Sequence, residues 1–280
     1  MISKKSRTGV FFLAMYNING LSGTPKRTKT VFEAVKKKFG AKLLLPGISK
    51  SLSLGSPSSK KTKQKLVKKL IPNCFKRTLQ QLKAFKQLIS FRPKVIHAFL
   101  EDAAFVACLY KIIFGGRVVY EMHGVGGQFS WKKFSIMEYM SVKLSDHIIV
   151  MSHRMKKIVE DKYGVSSKKV SVMWGPIDMQ IFKHSKRKKS KSFTVCYGGN
   201  DSKYQGVETM LEAARKLESK KNIRFKFIGF EKKGHPDLEN VEYFGVIPDD
   251  KLFIKSILDS DVFLSCYEGG TANYAYPHKL

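Results

Sequence analysis

The last third of the sequence holds the pattern that most constrains the fold: a short strand, a glycine-rich turn and a helix. The apolar run Phe193–Tyr197 predicts the strand, the segment 198–206 (GGNDSKYQG) predicts the turn, and apolar residues at helical spacing follow. In α/β proteins such a unit binds phosphate, because glycine lets the backbone approach the anion and the free N–H groups of the helix start attract it. We therefore expect an anion site at 198–206.

Strand-like and helical runs alternate along the whole chain, which predicts an α/β fold with largely parallel sheets. The predicted strands are 9–16, 41–45, 94–99, 117–121, 147–151, 169–174, 193–197, 222–229, 241–244 and 262–266. The main predicted helices are about 28–39, 102–114, 130–143, 154–163 and 249–260, with a further helix after Gly206. The chain has 280 residues, 43% of them hydrophobic, which is enough for two modest cores. We predict two lobes that face each other across a cleft.

Composition divides the chain into a first domain (1–182), a linker (183–192) and a second domain (193–280). The segment 183–192 (KHSKRKKSKS) has no apolar period and is typical of an exposed linker. The second domain contains fewer strand–helix units than a nucleotide-binding lobe needs, and the final HKL resembles the start of a helix. The expectation is therefore that the second domain is incomplete at its C-terminus.

The net charge of +30 is confined to the first part of the chain. Residues 1–192 contain 40 Lys and Arg against 9 Asp and Glu, whereas residues 193–280 contain 12 against 13. Glu33 is the single acid among the first 100 residues. A one-sided positive surface is typical of proteins that bind anionic lipid headgroups, nucleic acid or an acidic acceptor. A solvated lysine-rich face is the alternative interpretation.

Two further features bear on location and metal binding. No apolar run approaches the roughly 20 residues that span a bilayer, and the apolar run 10–16 fits a first buried strand as well as a signal peptide. The cysteines (Cys74, Cys108, Cys196, Cys266) are scattered without metal-ligand spacing. We predict a cytoplasmic protein with reduced cysteines and no metal site, with peripheral association on the inner face of the membrane as the alternative location.

Four segments, in this order, resemble family 4 glycosyltransferases. They are YEMHG (120–124), the run from SDHIIVMS to KVSVMWGPIDMQIF (145–182), YGGNDSKYQGVETMLEAARKL (197–217), and NVEYFGVIPDDKL followed by SDVFLSCYEGGTANYAYPHKL (240–280). The resemblance implies the GT-B fold, with two Rossmann-like domains. It also implies transfer of a sugar from a nucleotide-sugar, with retention of configuration, to a glycan or lipid-linked acceptor. It implies no cofactor besides that donor.

The turn 198–206 departs from the family pattern. The family brackets this turn with an arginine and a lysine that stabilise the leaving phosphate, but Gly199 and Gln205 stand at those positions. Relatives with Tyr-Gln-Gly at this turn exist in the family. We expect Asn200, Lys203 and the helix start at Gly206 to donate to the phosphate instead. An ordinary βα turn with a surface lysine is the alternative.

The closing loop supplies the second group of candidates. The resemblance makes Glu268 the carboxylate that binds hydroxyl groups of the donor sugar. It also implies that backbone N–H groups of Gly269, Gly270 and Thr271 reach the sugar and phosphate. The alternative for Glu268 is an exposed loop acid.

The first domain supplies His123, at the end of a predicted strand, where the family places a histidine near the transferred sugar. A neutral imidazole donates one hydrogen bond and accepts another, although packing against loop backbone is the alternative. Gly20 and Gly23 resemble the loop that faces the donor phosphates, and Val246 lies where the family backbone meets the base. His97 is interpreted as structural, and no nucleophile is assigned.

Two other functions remain open at this stage. The missing cations and short C-terminus are also compatible with a pseudoenzyme that binds a nucleotide-sugar, or with an inactive fragment. Charge alone suggests nucleic-acid binding, but the sequence lacks a recognition helix or a motif of interleaved aromatic and basic residues. Donor turnover would distinguish the enzyme from the pseudoenzyme, and salt-sensitive RNA binding tighter than vesicle binding would favour the third function.

Overall fold

The computed structural model describes residues 9–18, 23–46, 73–125, 132–176 and 192–268. The chain divides into two compact units, Met1–Trp174 and Gly175–Leu280, and each contains a parallel sheet. Residues 183–191 of the predicted linker lie outside the described ranges. Within those ranges, no helix combines the length and the apolar composition needed to cross a bilayer.

The first unit is a six-stranded parallel sheet with helical connections. Its elements are β1 (Val10–Ala14), α1 (Gly23–Phe39), β2 (Lys42–Leu44), α2 (Asn73–Phe91), β3 (Val95–Phe99), α3 (Leu100–Phe114), β4 (Arg117–Glu121), α4 (Lys132–Leu144), β5 (His147–Val150), α5 (His153–Tyr163) and β6 (Val170–Val172). The strand order is β2-β1-β3-β4-β5-β6. All the carboxyl ends of these parallel strands therefore lie at one edge, where α/β proteins place their ligand sites.

The centre of this sheet is fully buried, as an apolar parallel strand requires. Phe12 and Leu13 of β1 and Phe99 of β3 have no exposed surface. Helix α3 packs between α2 and α4, and its buried face contains Ala103, Ala104 and Ala107. Because these side chains are small, the helix can pack closely and keep the ends of β3 and β4 fixed.

The second unit is a four-stranded parallel sheet with the order β10-β7-β8-β9. Its elements are β7 (Phe193–Gly198), α6 (Val207–Lys216), β8 (Ile223–Ile228), β9 (Val241–Tyr243), α7 (Asp250–Leu258) and β10 (Val262–Leu264). The predicted apolar stripe of α6 is buried, and its members Val207, Met210, Leu211 and Ala214 share a core with Tyr197, Phe225 and Phe227. The predicted α/β class with parallel sheets is thus confirmed.

One helix boundary was predicted wrongly and another correctly. Helix α1 begins at Gly23 and not at Thr28, so its first turn contains Pro25. Proline fits there because the N–H group it lacks would have no intrahelical partner. At α5 the predicted cap is confirmed, since the Ser152 side chain accepts from the N–H of Met155.

Candidate functional site

A buried ion pair lies at the carboxyl edge of the first sheet. Glu121, the last residue of β4, has no exposed surface, and Arg27 of α1 is 2% exposed. The Arg27 Nε donates to Glu121 Oε1 at 2.6 Å. The Arg27 Nη1 and Nη2 atoms donate to the backbone carbonyls of Trp174 (2.7 Å) and Met173 (3.0 Å). Arg27 therefore fixes α1, the end of β4 and the segment after β6 to one another.

Two histidines complete the surroundings of the Glu121 carboxylate. His97 Nε2 donates to Oε2 at 2.8 Å, and His123 Nε2 donates to Oε1 at 2.9 Å. His97 lies within β3 and stacks between the rings of Phe12 and Phe99, each with a centroid distance of 4.7 Å. The carboxylate thus accepts from three side chains. His97 is a packed member of this network, as the structural interpretation requires.

This network determines the charge of Glu121. Burial raises the pKa of its carboxyl group, but the hydrogen bonds from His123 and His97, together with their charge, outweigh that effect and hold the pKa well below its usual value. Arg27 acts in the same direction, because guanidinium keeps its charge at any relevant pH. Glu121 is therefore ionised at neutral pH although water is excluded from it.

The same network limits what His123 can offer to a ligand. Its Nε2–H is directed at Glu121, and its Nδ1 lies 3.3 Å from the hydroxyl oxygen of Thr24. The side chain is 8% exposed. A sugar hydroxyl would therefore reach Nδ1 only by replacing Thr24. Of the predicted loop glycines, Gly23 begins α1 next to Thr24, and Gly20 lies outside the described residues.

In the second unit, glycines follow three neighbouring strands. Gly199 comes after β7 and donates to Ile228 O at 2.8 Å, and Gly229 comes after β8 and donates to Gly245 O at 2.6 Å. A Cβ at Gly229, where φ is +118°, would lie 2.2 Å from Gly199 O. The main chains of adjacent strand ends therefore meet directly, and no side chain separates them at this edge.

The predicted phosphate turn has a similar close contact at its far end. A short 3-10 turn, Lys203–Gln205, leads to Gly206, which has φ +65° and precedes α6. A Cβ at Gly206 would lie 2.5 Å from Cys266 O. Gln205 is buried, with its Oε1 3.3 Å from the Tyr197 hydroxyl. The position where the family carries a lysine thus holds a neutral side chain that packs inward.

The two predicted polar donors of the turn behave differently. The Asn200 Oδ1 accepts from the N–H of Ser202 at 3.1 Å, and this local bond shapes the turn. Lys203 is exposed and forms no ion pair with any acid in the described part of the second unit. Lys203 is consequently the side chain of this turn that is available to an anion.

Glu268 lies beside the same turn. Its N–H donates to Tyr204 O at 3.0 Å, and its carboxylate accepts from the hydroxyl of Thr209 in α6. The structure therefore brings Glu268 together with Lys203 and the start of α6. Val246 follows Gly245 and is exposed. Gly269, Gly270 and Thr271 lie outside the described residues.

The sequence interpretation missed the pair at the centre of the first site. Arg27 lies in a stretch predicted as loop, 94 residues from Glu121. Glu121 had a signal of its own, because an acid at the end of a buried strand requires a partner. Thr24 and Thr209 carried no comparable signal in the sequence.

Comparisons with known proteins agree with this architecture. Residues 56–181, a little under half of the chain, match the family model described as Glycosyltransferase Family 4. A search of curated proteins finds no match. The matched range contains the first of the four sequence segments and nearly all of the second, and it confirms the predicted resemblance there.

Solved structures extend the likeness over more than nine tenths of the chain. Sucrose-phosphate synthase from Thermosynechococcus elongatus is 12% identical, with a TM-score of 0.71, over 95% of this chain and 78% of that one. HepE from Anabaena in complex with UDP is 13% identical, with a TM-score of 0.57, over 91% and 72%. A glycosyltransferase from Rickettsia africae is 14% identical, with a TM-score of 0.56, over 92% and 72%. At these identities the likeness establishes the fold, which is the GT-B type with Rossmann-like domains.

The first prediction concerns the buried carboxylate. Glu121→Gln should lower the free energy of unfolding by about 3–5 kcal/mol at neutral pH, because it leaves the Arg27 charge buried without a counterion. Because folding lowers the pKa of Glu121 from its ordinary value of about 4.5, its contribution is complete above that pH. It is lost as the pH falls towards the folded value, since the unfolded chain binds the proton first.

Urea denaturation over a range of pH measures this effect, with Glu33→Gln as the control. Glu33 is an exposed acid paired with Lys36 on the surface of α1, so its replacement should change stability by less than about 1 kcal/mol. A Glu121→Gln variant as stable as the Glu33→Gln variant would mean that the buried pair does not support the fold.

The second prediction concerns the glycine at the end of β8. Gly229→Ala should destabilise the chain by more than about 3 kcal/mol, because a strained φ and a backbone clash add together. Gly234→Ala is the matched control, since its φ is +88° but no atom lies within 4 Å of its Cβ. It should cost only the strain, about 1–2 kcal/mol. Equal unfolding free energies in a thermal melt would contradict the proposed contact between Gly199 and Gly229.

Proposed function

We propose that this chain is a glycosyltransferase, as its family match indicates, and that it transfers a sugar from a nucleotide-sugar donor with retention of configuration. The carboxyl edge of the second sheet carries the proposal. There the main chain is closely packed, with Gly199 against Gly229 and Gly206 against Cys266, and Lys203 and Glu268 lie beside Gly206. Ligands of α/β proteins bind at this edge of a parallel sheet.

The chemistry of sugar transfer explains what these groups would do. Departure of the nucleotide builds negative charge on its phosphate, which fixed donors stabilise. The first N–H groups of α6, at Val207 and Glu208, have no intrahelical acceptor. They lie at the helix N-terminus, where the helix dipole also has its positive end, so both attract an anion. Lys203 is the single cation of the turn 198–206. Binding would therefore depend mainly on the backbone.

The donor sugar would be held by Glu268 and the loop that follows it. The Glu268 carboxylate would exchange the Thr209 hydroxyl for hydroxyls of the sugar, and the N–H groups of Gly269, Gly270 and Thr271 would donate to sugar and phosphate. Asn200 shapes the turn, and the exposed Val246 would contact the base. The nucleotide-sugar supplies its own leaving group, so we propose no other cofactor.

The likeness to HepE supports the class of donor. HepE was solved with UDP, with UDP and glucose, and with UDP-glucose. By analogy we infer a nucleoside diphosphate sugar for this chain. In the first unit, the Glu121 network would present His123 and the start of α1 at Gly23 and Thr24 to the donor, and we propose Gly20 as a further donor contact.

The charge of the first domain supports a membrane-associated acceptor. Residues 1–192 contain 40 basic against 9 acidic residues. Each cation near an anionic lipid surface contributes about 1 kcal/mol to the free energy of binding. We infer a glycan or lipid-linked acceptor, and a peripheral enzyme on the cytoplasmic face of the membrane.

The replacement of both family cations favours one alternative, a pseudoenzyme that binds a nucleotide-sugar without transferring it. Gly199 has no side chain, and Gln205 is neutral and buried. Both functions predict donor binding. Release of nucleoside diphosphate from the donor, by transfer or hydrolysis, occurs only in the enzyme.

The third prediction separates the sugar contacts from the phosphate contacts. Glu268→Gln should weaken binding of UDP-glucose or another nucleotide-sugar about tenfold, because a hydrogen bond to a charged group contributes about 1.5–3 kcal/mol. Binding of the free nucleoside diphosphate should not change. Thermal-shift titration measures both affinities, since ligand binding raises the melting temperature by mass action.

Glu242→Gln, an exposed acid on β9, is the matched control and should leave both affinities unchanged. An equal loss for the diphosphate and the sugar conjugate would remove Glu268 from the sugar site. Failure of every nucleoside diphosphate to raise the melting temperature would remove the donor proposal itself.

The fourth prediction concerns the acceptor side. The protein should sediment with vesicles of mixed phosphatidylcholine and phosphatidylglycerol, and should be released by high salt, because salt screens exposed charges. Vesicles of phosphatidylcholine alone serve as the control. Sedimentation that is equal for both vesicle types, or unaffected by salt, would argue against electrostatic association.

A further inference from the structure

The edge of the first sheet opposite Glu121 exposes an unusual group of side chains. At this amino edge the helices end and the strands begin, so the last residues of α2 and α3 lie beside the first residues of β3 and β4. We call the exposed surface there the amino-edge face. It consists of Phe91, Arg92, Lys94, Ile113, Phe114 and Arg117.

Four of the six members of this face line a shallow groove. Arg92, Lys94, Phe114 and Arg117 line the groove, with the ring of Tyr110 beside that of Phe114 at a centroid distance of 5.2 Å. Arg117 pairs in register with Val95, the residue after Lys94. The three cations and Phe114 therefore share one surface, and Ile113 precedes Phe114 at the end of α3.

The apolar members are too exposed for a face that only meets water. Ile113 is 64% exposed and Phe114 is 46% exposed, and the preceding residue Ile112 is also exposed. Phe91, at the end of the adjacent helix, extends the same surface. Single exposed apolar residues are common in soluble proteins, but several at two neighbouring helix ends mark a surface that binds a partner.

The cations on this face have no counterions in the described part of the chain. Arg92, Lys94 and Arg117 form no ion pair with any acid there. Asp146 interacts electrostatically with Arg117, but hydrogen bonds from Lys111 and the Val118 backbone are the larger causes that hold the pKa of its carboxyl group below its usual value. Its carboxylate is already bound by Lys111 at 2.8 Å and by the N–H of Val118 at 2.7 Å. The Lys42 ammonium, 5.9 Å from the centroid of Phe91, adds positive charge at the margin.

We propose that the amino-edge face docks on an anionic bilayer, with Ile113 and Phe114 inserted among the headgroups and Arg92, Lys94 and Arg117 bound to lipid phosphates. Exposed aliphatic and aromatic side chains interleaved with cations suit the boundary between headgroups and acyl chains. Nucleic acid would satisfy the cations but would leave Ile112 and Ile113 in water. The proposal rests on the membrane association under Proposed function, and is independent of the donor chemistry.

Substitutions on this face test the proposal in the vesicle assay. Ile113→Glu and Arg117→Glu should each weaken sedimentation with phosphatidylglycerol-containing vesicles about tenfold or more, because each adds negative charge at the lipid contact. Two controls make the same chemical changes elsewhere in the unit. Ile136→Glu alters an equally exposed isoleucine (65%) early in α4, and Lys157→Glu reverses an exposed charge on α5. Both controls should sediment like the unmodified chain.

A fluorescence measurement gives a second readout. Tryptophan at position 113 (Ile113→Trp) should be quenched by brominated lipid, whereas tryptophan at position 136 (Ile136→Trp) should not.

Controls that lose binding as strongly as the face variants, or an unmodified chain that does not sediment, would overturn the proposal. Binding of single-stranded RNA that is tighter than vesicle binding, abolished by Arg117→Glu and unaffected by Ile113→Glu, would assign the face to nucleic acid. A preserved thermal shift with nucleoside diphosphate in the same variants would show that the donor proposal stands independently.

Discussion

The pairing of Arg27 with Glu121 is the interaction on which the first unit's candidate site depends. Both groups lose their water, which costs several kcal/mol per ion, and only dense hydrogen bonding offsets such a loss. Here the carboxylate accepts from three side chains, and the guanidinium uses its remaining donors on two backbone carbonyls. The pair therefore fixes the rotamer of His123 and the path of the chain after β6. Neither group can change without disturbing the other.

The second unit builds its candidate site by a different principle. At Gly206 and Gly229 the structure depends on the absence of a side chain, because main-chain atoms of Cys266 and Gly199 occupy the space. The first site is consequently sensitive to the loss of one charge, and the second to the gain of one methyl group. A site made of backbone also fits a turn in which Gly199 and Gln205 replace the two family cations.

Local patterns predicted most of the fold but little of the site network. The boundaries of β3 and β4 were predicted within one residue, because buried apolar runs bounded by proline and glycine are local signals. The start of α1 was wrong because Pro25 was interpreted as part of a loop. The pairing of Arg27 with Glu121 joins residues far apart in sequence, and no periodicity encodes it. The close approach of Gly199 to Gly229 likewise depends on how β7 and β8 align. Glu268 and His123, in contrast, were predicted from family motifs, and their roles stay proposals.

The length of β4 has a consequence for the acceptor. This strand of five residues, Arg117–Glu121, separates the amino-edge face from the Glu121 network, and five residues of strand span about 17 Å. If Arg117 lies at the headgroups, a single monosaccharide on a lipid carrier would not extend far enough from the bilayer to reach His123. An oligosaccharide that already stands several residues above its lipid could reach that height. The enzyme would then extend chains that other transferases have begun, and its choice of substrate would include a minimum length set by the sheet itself.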